Sequence, residues 1–95
     1  MIYIDNVQVP TTLFPDNTSQ VWKLGELPRR VTVRWKFSHE GEFMQLAQLK
    51  DLLDRRNIIV ELYIDYLPYA RQDKLIGNDH CFALHTFARL LNTLH

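Results

Sequence analysis

The feature that most constrains the fold is a double change of hydrophobic period between residues 31 and 66. "VTVRWKF" alternates Val31, Val33 and Trp35 with Thr32, Arg34 and Lys36, the period-2 pattern of a half-buried strand. "EGEFMQLAQLKDLLDRR" then repeats Phe43, Leu46, Leu49 and Leu53 at spacings of three and four, while Gln45, Gln48, Lys50, Asp51 and Asp54 fall elsewhere. That is an amphipathic helix, with acids near its start and Arg55 and Arg56 at its end to complement the helix dipole. "IIVELYIDY" returns to strand formers after Asn57. Strand, helix, strand predicts a βαβ unit with parallel strands and a right-handed crossover, and so an α/β fold.

The flanks extend this unit. "IYI" and "VQV" around Asp5-Asn6 predict a small N-terminal hairpin. "TTLFPDNTS" reads as turn, because Pro15 presets φ and Asp16 and Asn17 bond to nearby backbone. "QVWKL" is a short strand candidate, closed by "GELPRR". "DHCFALHTFARLLNTLH" is a second helix with Leu84, Phe87, Ala88, Leu91 and Leu94 as its buried stripe and Asn78 or Asp79 as N-cap. The expectation is one α/β domain over residues 1–95: a mixed sheet with an N-terminal hairpin, a βαβ unit and a C-terminal helix. The unit stops where a third parallel strand would come, so the chain is expected to be part of something longer.

The 59–66 strand has an unusual composition for its place. Val60, Leu62, Ile64 and Tyr66 share one face; Glu61, Tyr63 and Asp65 share the other with Ile59 and Leu67. A parallel strand covered on both sides is more uniformly apolar. One face is therefore expected to meet a polar neighbour, water or a second subunit.

Bulk properties narrow the function. Eleven basic residues balance eleven acidic ones, which argues against a nucleic-acid or acidic-membrane binder. The single cysteine, Cys81, rules out an internal disulfide and suits a reducing, cytoplasmic setting. No stretch has the length of a membrane span, and "MIYIDNVQVP" lacks the pattern of a signal peptide.

In α/β sheets ligands bind beyond the carboxyl ends of strands. "LPYARQDKLIGND" occupies that place after the 59–66 strand. Arg71 can fork onto phosphate oxygens, Gln72 offers a donor and an acceptor to a nucleobase edge, and Lys74 adds a point charge. On chemistry alone, a nucleotide loop and a solvated loop with an Arg–Asp pair both remain open. Gly25, Gly41 and Gly77 are scattered, so there is neither a P-loop nor a dinucleotide fingerprint. His80 and His85 flank Cys81 without ligand spacing for zinc, and no metal site is assigned. Asp51 and Asp54 read as a solvated helix face, and Trp22 and Trp35 as core or interface anchors.

Tyr69-Ala70-Arg71-Gln72-Asp73-Lys74, between a strand and a Leu/Ala-rich helix, resembles the ribose-phosphate pyrophosphokinases (phosphoribosyl pyrophosphate synthetases). "FPDNTSQV", starting at Phe14, is similar to their upstream Phe-x-Asp-Gly-Glu segment, and the intervening helix also looks like theirs. The wording is nearest to phage-type members. The resemblance implies a partial phosphoribosyltransferase-like N-terminal domain in a transferase of nucleotide biosynthesis. Such an enzyme moves diphosphate from ATP to ribose 5-phosphate with Mg2+ and acts as a homo-oligomer. It further implies that Arg71 and Gln72 contact ATP, and that Phe14 and Asp16 reach the adenine of a neighbouring subunit. Asn17 and Thr18 stand where the family has Gly and Glu, and "LIGNDH" departs from its charged continuation. The family's catalytic His and ribose-phosphate loop would fall past residue 95, so the chain alone is expected to be inactive. The alternative is a catalytically inactive pyrophosphokinase-like module for binding or assembly.

Overall fold

The computed structural model describes residues 1–22, 24–70 and 83–94. They group into two compact units, Met1–Asp65 and Tyr66–His95.

The first unit is a mixed sheet under one helix. Strands β1 (Ile2–Ile4), β2 (Val7–Gln8), β5 (Arg30–Trp35) and β6 (Ile59–Ile64) form a four-stranded sheet in the order β2-β1-β5-β6. β1 and β2 pair antiparallel around Asp5 and Asn6, both at positive φ (47° and 71°). That is the geometry of the two-residue turns that match strand twist. β1 lies antiparallel to β5, with Ile2 opposite Trp35 and Ile4 opposite Val33. β5 and β6 run parallel, from Arg30 opposite Ile59 to Trp35 opposite Ile64. The mixed sheet, hairpin and βαβ unit expected from the sequence are all present.

Helix α1 (Gly41–Arg55) covers one face. Its Leu46, Leu49 and Leu53 are buried, as are Ile2, Ile4, Val31, Val33 and Trp35, and these make the core. Trp35 has no exposed surface and lies edge-on to Phe37, ring centroids 5.7 Å apart. Asn57, at φ 57°, ends the helix. Its N–H donates to Asp54 O (3.0 Å) and Ile58 N–H donates to Leu53 O (3.0 Å). Leu53 and Ile58 are both buried, which completes a left-handed C-terminal cap.

A separate two-stranded hairpin, β3 (Thr11–Leu13) and β4 (Ser19–Val21), was not expected in full. The "TTL" part of the turn-like stretch is a strand, and the "QVWKL" strand is replaced by one ending at Val21. β3 is exposed at all three positions, so no apolar alternation marks it. Of the two tryptophans expected as core or interface anchors, Trp35 lies in the core and Trp22 is 48% exposed.

In the second unit α2 spans Ala83–Asn92. Phe87 is buried and Leu84, Leu91 and Leu94 are half-buried. Ala88, expected on the stripe, is exposed. The proposed N-caps Asn78 and Asp79 lie outside the described residues.

Candidate functional site

The tip of the β3–β4 hairpin carries Phe14 and Asp16. Phe14 N–H donates to Thr18 O (2.8 Å) and Asn17 N–H donates to Phe14 O (2.9 Å). Asn17 has φ 69°. The loop is thus a three-residue connection, Pro15-Asp16-Asn17, with a left-handed residue last. Pro15 suits the first position of such a turn, and Asn tolerates the left-handed one better than most residues.

Within this loop Thr18 donates to Asp16 twice, from its N–H (3.0 Å) and its hydroxyl (2.6 Å), both to Oδ1. The hydroxyl and then the amide lower the Asp16 pKa from its ordinary value of 3.8. Asp16 is therefore a fully exposed, ionised, acceptor-only group at neutral pH. Phe14 is 42% exposed beside it.

Helix α1 holds the hairpin through two glutamines. The Gln48 amide accepts from Val21 N–H (2.8 Å) and donates to Ser19 O (2.9 Å), as a neighbouring strand would. Gln45 donates to Ser19 Oγ (3.2 Å). Between hairpin and helix lies an open groove of about 410 Å3, lined by Phe14, Ser19, Val21, Gln48, Leu52 and Arg55. Gln45 and Gln48, which the helical pattern placed on the polar side, are in fact the links that position the hairpin. Asp51 and Asp54 do lie on the solvated face, where Asp51 pairs with Arg55 (3.5 Å) and Asp54 with Lys50.

The other sequence-derived site follows β6 in the sequence. Arg71, Gln72 and Lys74 lie outside the described residues, as do His80 and Cys81. The approach to them is described as far as Ala70. Pro68 is fully buried, and Tyr69 has φ 67° with its ring 5.3 Å from Phe87. An aromatic residue in the left-handed region is strained backbone, of order 1–3 kcal/mol, held there by its surroundings.

Glu42 was missed by sequence reasoning. It is a buried acid, 3% exposed, in the first turn of α1. Oε1 accepts from Ser38 N–H (2.7 Å), His39 N–H (3.3 Å) and Trp35 Nε1–H (3.3 Å). Oε2 pairs with the Met1 ammonium. Burial alone would raise its pKa, but the ammonium, Ser38 and Trp35 outweigh that and hold it at about 2, below the ordinary 4.5. An acid near a helix start reads as a dipole partner, which hid this role.

No group of three or more His, Cys, Asp or Glu capable of holding a metal ion occurs among the described residues. No described helix is long and apolar enough to cross a membrane. Compared with protein-family models, curated proteins and solved structures, the chain matches none of them.

Proposed function

We propose that the chain supplies ATP-contacting residues to a ribose-phosphate pyrophosphokinase, which transfers diphosphate from ATP to ribose 5-phosphate. The observation that carries this reading is the Phe14–Thr18 loop. Asn17 occupies the left-handed position where the resembled family has Gly, so the loop keeps a backbone that Gly would otherwise be chosen for. It carries an exposed aromatic residue and an ionised carboxylate two residues apart. An aromatic face suits a purine ring, and an acceptor-only carboxylate suits its exocyclic amino group. The parallel β5-α1-β6 unit, with the Tyr69–Lys74 run after its second strand, also fits a nucleotide site beyond strand carboxyl ends.

In this reading Arg71 and Gln72 contact the phosphates and base from one subunit, and Phe14 and Asp16 reach the adenine from another. Mg2+ belongs to the reaction but finds no ligand cluster among the described residues. The chain's part is positioning and charge neutralisation, on which phosphoryl-type transfer depends.

Calorimetric titration of ATP with Mg2+ tests this. Wild type is expected to bind, with Arg71→Ala and Phe14→Ala each weaker by about 1–3 kcal/mol. Binding unchanged in both variants would sink the assignment of these residues. A second reading, an inactive pyrophosphokinase-like module, is favoured by Thr18, which has no carboxylate where the family has Glu. Turnover of ATP and ribose 5-phosphate by the pure chain would exclude it.

A further inference from the structure

The β3–β4 hairpin is a two-stranded sheet in which one side chain takes the place of a third strand. Trp22 N–H donates to Pro10 O (3.1 Å) and Phe14 N–H to Thr18 O (2.8 Å). With Thr12 opposite Gln20 between them, residues 18, 20 and 22 turn their backbone groups toward β3. Ser19 and Val21 therefore turn theirs to the outer edge. A parallel neighbour would meet that edge with one residue, accepting from the Val21 N–H and donating to the Ser19 carbonyl. The Gln48 carboxamide does both, with Oε1 accepting from Val21 N–H (2.8 Å) and Nε2 donating to Ser19 O (2.9 Å).

The stems of the hairpin are held elsewhere. Val9 N–H donates to Ile2 O (2.9 Å), which ties one stem to β1. The Arg56 guanidinium donates to Gly25 O (2.6 Å) and Leu24 O (2.9 Å), which ties down the segment beyond the other. Gln48 grips between those stems and the tip, at the residue that follows the Phe14–Thr18 loop. Gln45 reaches only the Ser19 hydroxyl. Val21 is buried against α1, but apolar burial is non-directional and does not fix where along the helix the strand sits.

We infer that Gln48 is a positioning residue for nucleotide recognition: its two-ended amide sets where the hairpin tip holds Phe14 and Asp16. This rests on the ATP reading given above. The role needs an acceptor and a donor on one planar group. A carboxylate lacks the donor and turns an anion toward the Ser19 carbonyl; a leucine has neither. A tip freed from that grip still carries its aromatic ring and carboxylate, but no longer at the place where the base is held, and recognition groups act only where their supports keep them.

Gln48→Leu tests this, since it keeps bulk and helix propensity while removing both bonds. Calorimetric titration of ATP with Mg2+ compares it with wild type, Phe14→Ala and the double variant. Gln48→Leu should weaken binding about tenfold, the scale of a lost support behind a binding group, with an unchanged far-UV circular dichroism spectrum. Added to Phe14→Ala it should weaken binding much less, because it acts through the tip; a general loss of stability would act equally in both backgrounds. Gln48→Glu should resemble Gln48→Leu, and takes its place if the leucine variant does not fold. Gln45→Leu should stay nearer to wild type. Without ligand, hydrogen exchange at the Val21 amide should quicken in Gln48→Leu, while that of Trp22, bonded to Pro10, should not. If Phe14→Ala weakens binding but Gln48→Leu and Gln48→Glu do not, or weaken it equally in both backgrounds, or leave Val21 exchange unchanged, this inference fails and the nucleotide reading stands. Wild type that does not bind ATP, or Phe14→Ala that binds like wild type, overturns the nucleotide reading and this inference with it.

Discussion

β5 and β6 are adjacent six-residue strands, parallel and in register along their whole length. β5 has three large apolar residues, Val31, Val33 and Trp35, and all are buried to 2% exposure or less. β6 has five, counting Tyr63, and none is buried. Apolar content is thus the wrong guide to which strand holds the fold together. What separates them is coverage within the sheet: β5 has a strand on each side, while β6 has one described strand neighbour. Hydrophobic surface contributes only when something takes it out of water.

The sharpest test of that contrast is Trp35→Ala. It empties the centre of the core and removes a donor to Glu42, and should lower unfolding free energy by about 3–5 kcal/mol in urea melts. A loss below about 1 kcal/mol would mean that β5 is not the core strand.

Acid is the next largest probe of the β5 side, through Glu42. Its pKa is lower folded than unfolded, so the unfolded chain binds the proton first as pH falls. The stabilisation is fully present above pH 4.5 and fades as pH falls through about 2. It is on the order of 3 kcal/mol. Melts at stepped pH should show that loss, and Glu42→Gln should flatten it while lowering stability at neutral pH.

The junction entering β6 comes third. Asn57→Ala puts a Cβ-bearing residue of poor left-handed tolerance at φ 57° and should cost about 1 kcal/mol, measured the same way. Smallest of all, Leu62→Ala should cost under about 1 kcal/mol in dilute solution, because Leu62 is already part-solvated. A cost near that of Trp35→Ala would erase the distinction between the strands.

The readable parts of the fold were those whose signals are local. Asp5-Asn6 between alternating runs specified the first hairpin, and the switch of period at residues 31, 40 and 58 specified the βαβ unit. β3 was hidden because Thr11, Thr12 and Leu13 are all exposed and their pairing partner lies across a turn. Glu42 was hidden for a different reason: its ligands come from Met1, Trp35 and Ser38, which only the folded sheet brings together. At the candidate site, "FPDNT" marked a turn but not which residue is left-handed. That depends on the three-residue loop length and falls on Asn17. Arg71 and Gln72 were legible as chemistry, yet their geometry lies outside the described residues.

The central place of β1 has a kinetic consequence. β1 pairs with β2 across a two-residue turn but also with β5, where Ile4 meets Val33. The first contact is local and can form early. The second must close a loop of roughly 30 residues, an entropic cost of about 3 kcal/mol before any contact repays it. A strand that can pair early on one side is therefore among the last to be locked in place on the other. Its docking, rather than the formation of α1, should set the rate at which the sheet assembles.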